Sequence, residues 1–133
     1  MSEQAPAVAG IAALAVDCAD PPELAGWWSR LLGGEVEVDE DGATLHTPGG
    51  LNIDFARVPD TKTGKNRLHL DLYPTGRDNA LPMDRRIEIV EAKVAELVGL
   101  GASVERRTRE DDPEDPVYFV VMHDPEGNEF CVG

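Results

Sequence analysis

The segment Arg67–Tyr73 carries the residues with the clearest capacity for chemistry. Leu68, Leu70 and Leu72 alternate with His69 and Asp71, and alternation of this kind predicts a strand whose two faces differ. If the leucines pack on a core, His69 and Asp71 share the opposite face. A carboxylate beside an imidazole stabilises its protonated form, so the pair could transfer protons as a general acid or base. A polar pair that only stabilises the fold is the alternative interpretation.

Four further residues are candidates for ligand binding. Asp54 lies between Ile53 and Phe55 in a strand pattern, and an inward carboxylate without a partner would be costly. Cys131 and Glu129 share a face opposite Phe130. A reactive thiolate needs a nearby cation, which His69 could supply, but an unpaired cysteine is also a common small core residue. Trp28 belongs to a helical apolar stripe, where it could pack in the core or line a ligand cavity.

Two helices are predicted. Asp20 precedes Pro21 and can cap a helix whose apolar residues recur at helical spacing until Gly33. The second helix covers Met83 to Leu100 and ends before Gly101. The strands are predicted at 8–16, 35–38, 43–47, 51–58, 67–73, 103–107, 117–122 and 129–132, with hairpin turns at Asp41-Gly42 and at residues 124–128.

The order of these elements is strand, helix and three strands, given twice. The segments at residues 32–37 and 100–105 are identical at four of six positions, at a helix-to-strand junction. This pattern predicts an α+β fold from two tandem βαβββ modules, at residues 8–58 and 66–132, joined by a linker at 59–65. The whole chain, residues 1–133, then forms a single domain.

Composition excludes several classes of function. The chain has 12 basic and 26 acidic residues and a net charge of −14, which argues against binding to nucleic acid or to an anionic membrane surface. No apolar run approaches the length of a membrane span, and the first residues lack the pattern of a signal peptide. Two cysteines cannot form a disulfide framework, so a cytoplasmic location is expected. The sequence has no phosphate-binding glycine loop and no nucleophile elbow.

The motifs around the two predicted modules resemble the vicinal oxygen chelate superfamily, in its glyoxalase-like domain branch. The resemblance rests most strongly on "NRLHLDL" at residues 66–72 and "DPEGNEFC" at 124–131, and it covers about residues 8–133. It implies a cup-shaped half-barrel of the glyoxalase/bleomycin resistance type, a small-molecule ligand in the cup, and a homodimer.

The metal site that this resemblance implies is incomplete. Metal-dependent members have ligands on the first and last strand of each module, and here Ala13 falls at the first position, Asp54 or Ala56 at the second, His69 at the third and Cys131 at the fourth. Alanine has no ligand atom, and the remaining set of His69, Cys131 and Asp54 would suit zinc better than magnesium or manganese. We therefore expect no cofactor, with a divalent metal as the alternative.

Three functions are compatible with these residues. The first is a metal-independent isomerase or lyase that uses His69 and Asp71. The second, similar to the bleomycin-resistance proteins, is a non-catalytic protein that sequesters a cationic drug or metabolite through its acidic charge and its tryptophans. The third is a metal-dependent lyase or dioxygenase.

Overall fold

The predicted α+β class is confirmed by two four-stranded sheets, each accompanied by one helix. A computed structural model describes residues 11–59, 64–74 and 81–133. The chain divides into two compact units, Met1–Thr61 and Lys62–Gly133, referred to below as the first and second units. Each unit has the element order strand, helix and three strands.

The first unit consists of β1 (Leu14–Cys18), α1 (Pro21–Leu32), β2 (Glu35–Val38), β3 (Gly42–His46) and β4 (Asn52–Arg57). Its sheet has the order β1-β4-β3-β2, with β1 parallel to β4 and the other pairs antiparallel. The core lies between α1 and the sheet, where Leu24, Trp28, Leu45 and Phe55 are each at most 4% exposed.

The ends of α1 are set by the residues that the sequence indicated. The Asp20 side chain accepts a hydrogen bond from the Glu23 backbone N–H at 3.3 Å, which satisfies one of the free donors of the first turn. Gly33 follows the helix with a φ of 76°, a conformation that costs glycine little. The next residue, Gly34, also has a positive φ, of 93°, and the chain turns here into β2.

The second unit consists of β5 (Leu70–Leu72), α2 (Met83–Gly99), β6 (Ser103–Glu110), β7 (Val117–His123) and β8 (Glu129–Val132). Its sheet has the order β5-β8-β7-β6, and β5 is parallel to β8. Val90 and Val94 of α2 are buried, as are Val120 of β7 and Phe130 of β8, and α2 packs against these strands.

Three strands differ in length from their predictions by three or more residues. The first was predicted from residue 8, but β1 begins at Leu14, and residues 8–10 lie outside the described part of the chain. β6 runs three residues beyond the predicted end, to Glu110, because its charged residues pair with β7 as far as Val117. The charged residues at 106–110 are therefore part of a strand.

The strand predicted at 67–73 is the largest correction. β5 is an edge strand, and it pairs with β8 only from Leu70 opposite Phe130 to Leu72 opposite Val132. Leu68 does not meet the condition that the leucines of this segment pack on a core, since 81% of the residue is exposed. His69 consequently lies immediately before the strand rather than inside it.

The turn between β7 and β8 is organised by one buried carboxylate. Asp124, at 4% exposure, accepts hydrogen bonds from the backbone N–H groups of Glu126 and Asn128, each at 2.9 Å. The Asn128 side-chain amide also donates to it, and Gly127 has a φ of 87°. These contacts fix the entry of the chain into β8, which carries Glu129 and Cys131.

Candidate functional site

His69 and Asp71 lie together in the second unit. Nε2 of His69 is 3.1 Å from Oδ1 of Asp71, and their side chains are 41% and 44% exposed. Asp71 is the central residue of β5 and points away from the side of the sheet to which Leu70 and Leu72 turn. The hydroxyl of Tyr73 donates to the other carboxylate oxygen, Oδ2, at 3.4 Å. The carboxylate of Asp71 is thus shared by two side chains that ligands can reach.

Cys131 is the third member of this group. The register of β5 and β8 places it directly opposite Asp71, and ligand atoms of His69, Asp71 and Cys131 all lie within 4.8 Å of one another. Burial, followed by the charge of Asp71 and a hydrogen bond to its carboxylate, raises the pKa of the Cys131 thiol to about 11. At neutral pH the side chain is therefore a protonated hydrogen-bond donor, and not the thiolate that nucleophilic attack requires.

A cavity of about 350 Å³ opens beside this group. Its size is within the range of small-molecule sites. Its lining residues in the described part of the chain belong to the second unit: His69, Asp71, Leu72, Tyr73, Arg86, Val117, Tyr118, Phe119, Cys131 and Gly133.

Arg86, Tyr118 and Phe119 are lining residues that the sequence did not indicate. Arg86 was interpreted as one of the polar residues of an amphipathic helix. Tyr118 and Phe119 were interpreted as ordinary residues of an apolar strand. A signal for Arg86 was its position four residues before Val90, in line with the buried side of α2.

Glu129 occupies the same face of β8 as Cys131, two residues earlier, but it has different neighbours. Its side chain is 6% exposed, and both carboxylate oxygens accept hydrogen bonds from Nζ of Lys65, at 3.0 and 2.9 Å. A buried carboxylate is held most favourably by such a cation. Glu105 and His123 lie beside it, 3.5 Å apart. Glu129 thus belongs to a neighbouring polar cluster and is not among the cavity-lining residues.

Asp54 and Trp28, the other two predicted site residues, lie in the first unit. Asp54 is exposed on β4 and accepts a hydrogen bond from the Thr44 hydroxyl at 3.0 Å. Trp28 is 4% exposed, and its ring packs edge to face against Trp27 with centroids 5.2 Å apart. Trp28 therefore lies in the core of this unit, and a contact of either residue with a ligand stays a prediction.

A family profile described as the glyoxalase-like domain matches residues 13–133. The chain belongs to this family. The match confirms the resemblance drawn from the motifs at 66–72 and 124–131. Neither helix in the described part of this family member is long and apolar enough to cross a membrane.

Solved structures with the same fold include antibiotic-resistance proteins and members of the glyoxalase/bleomycin resistance protein/dioxygenase family. A glyoxalase/bleomycin resistance protein/dioxygenase family enzyme from Burkholderia phytofirmans is 16% identical, with a TM-score of 0.67 over 91% of this chain and 94% of that chain. A fosfomycin resistance protein from Listeria monocytogenes, complexed with Mn(II) and dihydroxypropylphosphonic acid, is 12% identical, with a TM-score of 0.60 over 95% and 90%. At these identities the likeness shows the fold. The comparison with curated proteins found no match.

The donor atoms of the site determine which metal would suit it. Ala13, at the position expected from the family pattern to hold a ligand on the first strand, has no ligand atom. His69, Asp71 and Cys131 provide one nitrogen, one carboxylate and one sulfur, and a thiolate suits zinc, whereas Mn²⁺ prefers oxygen. Cys131 would also have to lose a proton that Asp71 helps to retain. The set thus fits a hard divalent ion poorly and zinc better.

Proposed function

We propose that this glyoxalase-like protein is a metal-independent enzyme of the isomerase or lyase type that acts on a small molecule bound in the cavity of the second unit. The observation that carries the proposal is the pair of His69 and Asp71, 3.1 Å apart, on the wall of that cavity. An imidazole with a carboxylate neighbour, in a cavity of substrate size, is a recurrent arrangement for proton transfer.

In the proposed reaction, neutral His69 removes a proton from a carbon next to a carbonyl group and returns it to another atom of the same molecule. Asp71 stabilises the imidazolium that forms between these two steps, so we assign it a positioning role. The Cys131 thiol, which is protonated at neutral pH, donates to Asp71 and helps to fix its orientation. Proton transfer by a positioned side chain contributes about 10²–10⁴-fold to a rate.

Exchange of substrate protons with D₂O tests this role without knowledge of the full reaction. The protein is incubated in D₂O with a panel of small 2-oxo acids and 2-hydroxy ketones, and deuterium incorporation is followed by NMR. We expect incorporation into at least one compound, and a loss of at least about 100-fold in His69→Gln. His46→Gln is the matched control, because His46 also contacts a carboxylate, Glu37, at 3.0 Å, but on the first unit.

Two outcomes would contradict the proposal. One is exchange that persists at the wild-type rate in His69→Gln, which would place the base elsewhere. The other is the absence of exchange across the whole panel, which would favour a binding protein. Asp71→Asn should lower the exchange rate less than His69→Gln does, since it removes a positioning group and leaves the base.

A non-catalytic protein that binds a cationic small molecule is the second candidate. It is favoured by the acidic residues of the first unit: Asp17, Glu37 and Asp54 are exposed on its sheet, and such carboxylates attract cations. The test is a thermal-shift panel of cationic natural products. Stabilisation that is lost in Asp54→Asn but kept in His69→Gln would support this function over the enzyme.

A metal-dependent reaction is the third candidate, because His69, Asp71 and Cys131 could together hold zinc. Metal analysis of protein purified without an affinity tag distinguishes it, and a stoichiometric metal would overturn the metal-independent proposal. A homodimer and a cytoplasmic location also stay predictions.

A further inference from the structure

The cavity of the second unit contains a cation that the proposed proton transfer does not use. Arg86 lies in the first turns of α2, and only 9% of the residue is exposed. Its Nη1 donates a hydrogen bond of 2.8 Å to the backbone carbonyl of Pro116. Arg86 is also one of the residues that line the cavity.

This guanidinium has no counter-charge within the described residues. Arg85, the preceding residue, pairs with Glu88 at 3.1 Å, and Arg107 pairs with Glu91 at 2.8 Å. No carboxylate of residues 11–59, 64–74 or 81–133 lies within 4.0 Å of a side-chain nitrogen of Arg86. The contrast is informative because the chain has more than twice as many acidic as basic residues.

The guanidinium of Arg86 has donors that no protein group takes up in the described part of the chain, on the wall of a cavity. The group has five N–H donors in a planar fork, and the nitrogens that do not bond Pro116 keep some accessible surface, since none of them is both fully buried and unpaired. The fork matches carboxylate and phosphate oxygens in a bidentate geometry. The available donors of Arg86 therefore suit an oxyanion that enters the cavity.

We propose that Arg86 binds the anionic group of the substrate, and that the substrate is a small organic acid with a carboxylate or a phosphonate. Its carbon skeleton contacts the aromatic residues Tyr118 and Phe119, and its reacting carbon lies at His69. The assignment of the reacting carbon rests on the function proposed above, but the binding of the anion by Arg86 does not.

Binding of three probes of similar shape tests the role of charge. Benzoate, phenylphosphonate and neutral benzamide are titrated against the full chain by calorimetry. We expect at least one anion to bind about tenfold or more tightly than benzamide, since hydrogen bonds to charged groups contribute enough for that ratio. Whether benzoate or phenylphosphonate binds better distinguishes a carboxylate from a phosphonate substrate.

Variants of two neighbouring arginines then show which residue causes the preference for an anion over benzamide. Arg86→Met, which keeps an apolar stem of similar length, should bind the anions and benzamide equally. Arg85→Met is the matched control, because it removes the same charge from the same helix at an exposed position, and it should keep the preference. Thermal unfolding shows whether Arg86→Met is folded. If it is not, the Arg86 Nε–H resonance of the wild type gives the same information, because benzoate or phenylphosphonate should shift it and benzamide should not.

The proposal is overturned if the wild type binds no anion more tightly than benzamide, if folded Arg86→Met keeps the preference, or if neither anion shifts the Arg86 resonance. His69→Gln separates this inference from the proposed reaction. It should lose deuterium exchange and keep the preference for the anion, so either proposal can fail without the other.

Discussion

Replacing Asp71 with asparagine should make Cys131 more reactive. Burial is the main reason why the pKa of the Cys131 thiol rises from 9.0 to about 11, and the charge of Asp71 and the hydrogen bond to its carboxylate add to the effect. Both of the Asp71 contributions disfavour the thiolate. Asp71→Asn removes the charge and leaves the burial, so the pKa should fall below 11 and stay above 9.0.

The size of the effect follows from the ionised fraction. At pH 8 a thiol with a pKa of 9.0 is about 10% thiolate, whereas one with a pKa of 11 is about 0.1%, a difference of roughly 100-fold. A thiolate of higher pKa is a better nucleophile, by about tenfold over two pH units in thiol–disulfide exchange. Wild-type Cys131 should therefore react about tenfold more slowly than an unperturbed thiol, and Asp71→Asn should recover part of that factor, so its reaction should be faster than that of the wild type by less than about tenfold.

The assay is the rate of reaction with dithiodipyridine as a function of pH. It is performed in a Cys18→Ala background, because the other cysteine, Cys18, is 3% exposed and would contribute only when the protein unfolds. Glu88→Gln is the charge control, since it removes one exposed carboxylate of α2. It should leave the profile unchanged.

Two results would refute the reasoning. A wild-type profile centred at or below pH 9.0 would show that neither burial nor Asp71 suppresses the thiolate. An Asp71→Asn profile identical to that of the wild type would show that burial alone raises the pKa, and that the carboxylate is not coupled to the thiol.

Three further predictions concern stability. The pKa of Glu91 is lowered mainly by its hydrogen bonds to Arg107. Its contribution to the free energy of unfolding, about 1 kcal/mol, is therefore present above the unfolded pKa of 4.5 and is lost as the pH falls through the folded pKa. Urea unfolding should show that Glu91→Gln is destabilised at pH 7 but hardly at pH 3. Gly34→Ala should lower the free energy of unfolding by at least about 2 kcal/mol, because φ is +93° and the new Cβ would clash with the backbone oxygen of His46. Gly49→Ala is the control: its Cβ meets no atom within 4 Å, and it should be nearly neutral by thermal unfolding. Asp124→Ala should lower the free energy of unfolding by about 2–3 kcal/mol, measured by thermal unfolding, since it leaves turn N–H groups without an acceptor. A loss below about 0.5 kcal/mol would contradict that role of Asp124.

Local patterns were sufficient to predict the fold, because the relevant signals are short in range. The Asp20 cap, the glycine after α1 and the apolar spacing of α2 each act within a few residues, and each predicted element exists. The prediction was wrong where pairing with a distant strand decides the outcome. The alternation of apolar and polar residues at 67–73 favoured a strand of seven residues. In the structure only three residues of this segment, those of β5, pair with β8, and Leu68 is exposed to solvent.

The site was predictable in part for the same reason. Spacing alone placed His69 and Asp71 on one side, and the structure brings them together. The pairing of Asp71 with Cys131 depends on the register of two strands that are 60 residues apart in the chain, which no local pattern encodes. Arg86 was missed because an arginine on an amphipathic helix is normally assigned to solvent, although its spacing from Val90 and Val94 puts it on the buried side of α2.

The chemistry of the second unit depends on the residue that faces Asp71 across the β5–β8 pair. A carboxylate at position 131 would place two negative charges opposite each other, and a divalent cation would be the natural way to stabilise them. Cysteine keeps the position neutral, because its thiol stays protonated well above physiological pH. One negative charge then remains, and Nε2 of His69 lies 3.1 Å from it, so the imidazolium formed when His69 takes a proton from the substrate would be stabilised there. In this arrangement a side chain that can take up and return a proton provides, during the reaction, the positive charge that a metal would otherwise supply, and for this reason we favour acid–base chemistry over Lewis-acid chemistry for this member of the family.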